Sequence, residues 1–195
     1  MGNLPHPRVN HSSPFEICGT DFAGPFHISS RKGRGARTSK CYLCLFVCFS
    51  CKALHLEVVS ELSTNAFISC LRRFISRRGK PRIIYCDNGR NYVGANNELG
   101  RMLKAANESV TEFGASEGIE FKSSPAYAPN FGGIWEAGVK AAKFHLKRIA
   151  DNSNLTFKEF SNLFTQIEAI LNSRPLTPMS SDPSDFNPLT RSGVR

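Results

Sequence analysis

Apolar positions along this chain recur at two periods, and the switches between them outline the elements. Residues 1–14 are rich in Pro, His, Ser and Asn and read as an extended lead-in. Phe15–Ile28 has the composition of a first strand. Ser29–Lys40 is a basic loop. Cys41–Phe49 is a nearly unbroken apolar run, as suits a strand covered on both faces. Ala53–Val59 follows after so short a connection that the two strands should pair antiparallel. The period then changes. Phe67, Ile68, Leu71, Phe74 and Ile75 recur at helical spacing after a capping Ser63 or Thr64, and Gly79-Lys-Pro81 ends the helix. Arg82–Cys86 is a short buried strand. Asn96 to about Gly114 holds a weaker helix, Ile119–Lys122 a short strand, and Ser123–Phe131 a loop. Ile134–Ala150 has a strong helical period. Thr156 with Glu159 three residues on forms a capping box for a last helix to about Asn172. Arg174-Pro175 stops it, and a Pro/Ser-rich tail follows. This order predicts an α/β fold with one mixed sheet.

Composition changes the picture in two respects. A chain of 195 residues with 41% hydrophobic and 21% charged residues is ordinary for one domain with a core. The net charge of +9 is not ordinary, and it points toward a polyanionic partner. The N-terminus lacks the apolar core of a signal peptide, and no apolar run is long enough to span a membrane. The expectation is a nuclear or cytoplasmic protein that is not secreted. Seven cysteines scattered among apolar residues fit reduced, buried thiols. Cys41-x-x-Cys44 and Cys48-x-x-Cys51 mimic a zinc site. On a strand, however, Cys41 and Cys44 point to opposite faces, so no structural zinc is expected. The five histidines show no ligand spacing.

Three carboxylates carry the candidate chemistry. Asp21 lies in Ile17-Cys-Gly-Thr-Asp-Phe-Ala-Gly-Pro-Phe26, and Asp87 in Ile83-Ile-Tyr-Cys-Asp-Asn-Gly-Arg-Asn-Tyr-Val93. Glu136 lies in Phe131-Gly-Gly-Ile-Trp-Glu-Ala-Gly-Val-Lys140. Singly, each has a plain structural explanation: a turn residue, an Asn-Gly turn, or an acid in the first turn of a helix. Together, two strand-flanking acids and one helical acid can meet at one end of a sheet. Converging carboxylates repel one another unless a cation neutralises them. Two divalent ions held by Asp and Glu are a recurrent arrangement for in-line displacement at phosphorus.

The order Gly19-Thr-Asp-Phe, Asp87-Asn-Gly-x-Asn-Tyr, Gly-Gly-x-Trp-Glu136 resembles the Asp-Asp-Glu core of retroviral and long-terminal-repeat retrotransposon integrases. Lys52-Ala-Leu-His-Leu-Glu, Arg78-Gly-Lys-Pro, Val93-Gly-Ala-Asn and Gln166-Ile-Glu-Ala-Ile-Leu-Asn-Ser-Arg-Pro-Leu resemble the integrases of Bel/Pao-type elements more narrowly. The resemblance spans roughly residues 1 to 190. It implies a ribonuclease-H-like fold, with a five-stranded mixed sheet flanked by helices, over residues 15–175. Residues 1–14 would be a linker, and 176–195 a tail cut short. It implies Asp21, Asp87 and Glu136 as ligands of two Mg²⁺ or Mn²⁺ ions with DNA bound. Lys140 and Lys143, on the helix face of Glu136, are implied to grip DNA, with Arg90 and Asn91 as further contacts.

The implied activity is DNA integration: 3′-end processing, then strand transfer into target DNA, by a homodimer or higher oligomer. Gly132-Gly133 would act as a hinge before Glu136. The family's zinc domain and C-terminal β domain are not in this sequence, so the resemblance implies a fragment, a decayed copy or a domesticated core. A hybrid-cleaving ribonuclease H would need a helical acid that Ser63–Arg78 lacks. A non-catalytic nucleic-acid-binding or self-associating remnant is the alternative.

Overall fold

The computed structural model describes residues 12–86, 107–123, 129–150, 154–182, 184, 187–191 and 193. Three strands come first: β1 (Ile17–Ser29), β2 (Thr38–Cys48) and β3 (Leu54–Val59). Helix α1 (Thr64–Arg78) crosses to β4 (Ile83–Cys86), and α2 (Asn107–Glu117) leads to β5 (Glu120–Ser123). Helices α3 (Pro129–Ile149) and α4 (Phe157–Asn172) follow, then a ladder of β6 (Pro175–Pro178) and β7 (Pro188–Thr190). The five-stranded sheet has the order β3-β2-β1-β4-β5. β1, β2 and β3 pair antiparallel, whereas β4 is parallel to β1 and β5 to β4. The expected mixed sheet is therefore present.

Alternation along β2 divides the core. Cys41, Leu43, Leu45 and Val47 face α3 and α4, while Cys44, Phe46 and Cys48 face α1 and α2. In β1 the parity changes midway. Ile17 and Ala23 share the α3–α4 face with Phe26 and Ile28, because a bulge at Gly24-Pro25 inserts one residue. Ser63 is the cap chosen for α1, its Oγ accepting from Ala66 N–H at 3.2 Å. The box at Thr156 forms as expected, Glu159 Oε2 accepting from Thr156 N–H at 2.9 Å.

Edge strand β3 shows why its odd polar residues are there. Its outward backbone groups would be bare, which is hazardous for a buried or sticky edge. Asn172 Oδ1 accepts from Leu54 N–H at 2.8 Å, and Nδ2 donates to Leu54 C=O at 2.7 Å. Glu168 Oε2 accepts from Leu56 N–H at 2.7 Å. Four helical residues rise roughly 6 Å and two strand residues roughly 6.6 Å, so an i, i+4 pair on α4 matches alternate residues of β3.

Several boundaries differ from the sequence reading; the weak helix expected from Asn96 to about Gly114 runs to Glu117, its expected start lying outside the described residues. β2 starts at Thr38, because exposed Thr38, Ser39 and Lys40 extend the ladder along His27, Ile28 and Ser29. The segment read as a tail contributes the β6–β7 ladder. α3 starts at Pro129, a residue whose fixed φ suits a first helical position. Gly132 and Gly133 therefore lie inside the helix, and the expected hinge before Glu136 is replaced by continuous helix.

Candidate active site

Asp21 lies within β1, half-buried, opposite Leu45 of β2. It is the residue after Thr20, and Thr20 with Cys86 closes the β1–β4 ladder. The acid thus sits where β1 outruns its parallel neighbour, rather than at the end of its own strand. Phe22 N–H donates to Asp21 Oδ1 at 2.8 Å and orients the carboxylate.

Gly19 explains how α3 comes to this place. It shares a strand face with Asp21, and a Cβ built on it would stand 2.3 Å from Trp135 Cε3 and 2.7 Å from Cζ3. The indole therefore lies directly on the bare backbone of β1. Trp135 is buried and stacks on Phe49 at 6.3 Å, which stacks on Tyr85 of β4 at 5.2 Å. With Gly19, this aromatic series ties α3 to β1, to β4 and to the turn that follows β2. Glu136, next in sequence, is exposed in the second turn or later of α3. A Cβ on Gly132 would be 3.1 Å from Glu136 Oε1, so the carboxylate folds back along its own helix over a glycine. The glycines flanking these acids have packing roles that the motif pattern alone does not express.

Lys140 and Lys143 are exposed on α3, as expected, one and two turns beyond Glu136. Lys147 and Arg148 continue the basic face, and the Arg148 guanidinium lies 5.4 Å over the exposed Phe144 ring. Asp87, Arg90 and Asn91 lie outside the described residues. Among the described residues no three His, Cys, Asp or Glu side chains gather as a metal site.

The cysteines occupy both halves of the core, Cys41 on one face of the sheet and Cys44 and Cys48 on the other. Burial pushes Cys41 up to about 11 and raises Cys18 and Cys44 as well. Cys48 is held down at about 6 by the Cys51 thiol and, against burial, by surrounding backbone N–H groups including Phe15, which donates at 3.2 Å.

Sequence reasoning assigned no role to a second charged group. His55 is wholly buried on β3, with Nε2 3.3 Å from Glu57 Oε1 and Nδ1 3.5 Å from Glu168 Oε2. Arg73 and Arg77 of α1 bind Glu57 at 2.7 and 2.9 Å, and Arg78 binds Glu168. Burial works to lower the His55 pKa, but the two carboxylates outweigh it and the net shift is upward. The available signal was His and Glu alternating inside the apolar Leu54–Val59.

The integrase core domain model matches residues 11–129. The chain belongs to the integrase core domain family. Its likeness to solved integrase cores extends through the whole fold. The HTLV-2 integrase catalytic core domain in complex with magnesium, in a dimeric form, is 20% identical with a TM-score of 0.57. That match covers 93% of this chain and 97% of the other. The trimeric form is 22% identical at 0.56, with the same coverage. A chain of the simian T-cell lymphotropic virus intasome in complex with PP2A regulatory subunit B56 gamma is 18% identical, with a TM-score of 0.59. There this chain is covered completely but spans 59% of the other. At these identities the likeness shows the integrase core fold. No curated protein matches the sequence.

Proposed function

We propose that this integrase core is a metal-dependent polynucleotidyl transferase acting on DNA, performing 3′-end processing and strand transfer for a retrotransposon of the Bel/Pao type. The observation that carries the reading is the seating of Trp135 on Gly19. It brings the helix of Glu136 onto the strand face of Asp21, beside the strand that leads into Asp87. Asp21, Asp87 and Glu136 would hold Mg²⁺ or Mn²⁺, two ions when DNA is bound. An all-oxygen donor set suits such hard cations. When bound, the ions activate the attacking oxygen and stabilise the leaving one. The chain's own contribution is orientation. Phe22 N–H sets the Asp21 carboxylate, the Trp135 stack fixes α3, and Lys140, Lys143, Arg90 and Asn91 bind DNA. Exposed Phe157 and Ile170 of α4 support assembly as a homodimer or higher oligomer. No described helix is long and apolar enough to cross a membrane. We place the protein in the nucleus or cytoplasm, folding without structural zinc.

The test is a joining assay on a branched oligonucleotide with Mg²⁺ or Mn²⁺. Asp21→Asn, Asp87→Asn and Glu136→Gln should each abolish joining while thermal midpoints hold. A variant that joins DNA as well as the unaltered chain removes that residue from the assignment. DNA binding with no metal-dependent joining, across intact and variant proteins, identifies a non-catalytic remnant instead.

A further inference from the structure

Beside the Glu136 helix, a cleft of about 260 Å³ opens between the first half of α3, the β2–β3 turn and the C-terminal ladder. Its floor is apolar, made by Val47, Leu54, Ile134 and Leu171. Gly133, Ala137 and Gly138 keep α3 from filling it. Three cations line it: Lys52, Arg174 and Arg191. No carboxylate lines it among the described residues.

The cations come from three separate places in the chain. Lys52 sits in the β2–β3 turn at a φ of 58°. Arg174 follows α4 two residues after Asn172, whose amide is clamped on Leu54. Arg191 comes directly after β7. Their meeting is a product of the tertiary fold, and like charges meeting without a counter-charge is unfavourable. Arg191 Nη1 reaches only the Lys52 carbonyl, at 3.4 Å, and its buried Nε has no partner among the described residues. Burial and the Arg174 charge both hold the Arg191 pKa below its usual value. An anion would balance these charges.

We infer that this cleft is a phosphate subsite for DNA, in which Arg174, Arg191 and Lys52 hold one backbone phosphate and the apolar floor takes the adjoining sugar or base. The inference rests on the DNA reading above and adds a contact to it. Planar guanidinium forks match phosphate oxygens. The volume, below the roughly 300–1,000 Å³ of ligand pockets, suits one group of a longer polymer. Gly133 is one turn before Glu136 and Ala137 directly after it, so the bound phosphate would flank the one at the acids.

The test measures binding of a short labelled duplex across a salt series, with single phosphates replaced by neutral methylphosphonates. Arg174→Gln/Arg191→Gln should weaken binding several-fold and reduce the salt slope by about one, the value for one lost phosphate contact. One methylphosphonate position should weaken the unaltered protein but leave the double variant indifferent. Arg174→Gln alone, at an exposed position, should give a smaller loss with an unchanged thermal midpoint. It keeps the test decisive if the double variant misfolds. Equal slopes in variant and unaltered protein, or losses that simply add at every methylphosphonate position, overturn the subsite alone. So does a glutamate-rich peptide that needs both arginines when DNA binding does not, since the cleft then serves an acidic protein. Absence of duplex binding by the unaltered chain overturns the DNA reading and the subsite together.

Discussion

Two groups of charge flank the edge strand β3, and they are built in opposite ways. Around His55 the charges alternate in sign: Glu57 and Glu168 are each contacted by the imidazole and by arginines of α1. In the cleft by α3, Lys52, Arg174 and Arg191 share one sign. Both groups draw on the same two stretches, the β2–β3 region and the end of α4. A buried charge left unmatched is costly, whereas a matched set can hold elements together. The first group therefore belongs to the fold, tying α1 and α4 to β3. The second has no carboxylate beside it among the described residues, and the phosphate inferred above would supply its counter-charge.

The comparison breaks most readily at Glu57. Glu57→Ala leaves buried His55 and two arginines short of a counter-charge, so stability should fall by about 3 kcal/mol or more. For a chain of this size that lowers the thermal midpoint by roughly 6–12 °C. A change of less than a degree or two in a melting scan would show that the group is not structural. Asn172→Ala should cost about 2 kcal/mol, because both polar groups of Leu54 lose their partner. Chemical denaturation measures this directly, and an unchanged midpoint would mean that water replaces the amide.

The pH dependence sharpens the same point. Burial works to raise Glu57 and Glu168, yet His55 and the arginines prevail and their folded pKa values lie below the ordinary 4.5. Their contribution is present above that value and lost as pH falls through the folded values. His55 is shifted above its ordinary 6.5. Its contribution is complete below 6.5 and lost as pH rises through the folded value. The contribution of this charged group to stability should thus be greatest between about 4.5 and 6.5. His55→Gln should remove the decline on the alkaline side. A variant that keeps the full decline would assign it to another group.

The smallest effect on stability should come from the exposed basic face of α3. Lys140→Ala/Lys143→Ala should alter stability by no more than about 0.5 kcal/mol. It should also reduce the salt slope of DNA binding by roughly two. Lys80→Ala/Lys158→Ala is the control. Lys80 precedes β4 at the end away from Cys86, and Lys158 is near Thr156, which bridges Ser29 at the far end of β1. Equal losses from both pairs would reduce the α3 contact to diffuse attraction.

The sheet was legible because each strand carried a local signature: an unbroken apolar run in β2, and a short apolar block before Asp87 in β4. Capping was legible at Thr156 for the same local reason. The start of α3 was not. Gly132 and Gly133 suggest a break, and only the packing of Trp135 against Gly19, far away in sequence, explains why helix runs through them. Asp21 and Glu136 could be named from their neighbours, but not the strand position that orients Asp21. The sequence placed His55 and Glu57 in a strand without revealing their partners, which reside on two helices. Nor could it reveal the cleft, whose three cations are neighbours only once the chain is folded.

Asn172 and Glu168 also limit how copies of this protein can assemble. With Leu54 and Leu56 already bonded to α4, one border of the sheet is closed to strand addition. The opposite border, β5, is only four residues long. A fibril-like or continuous-sheet assembly therefore has little purchase on either side. Helical surfaces such as that of α4, with exposed Phe157 and Ile170, remain open to a partner copy, and substitutions there leave β1, which carries Asp21, untouched.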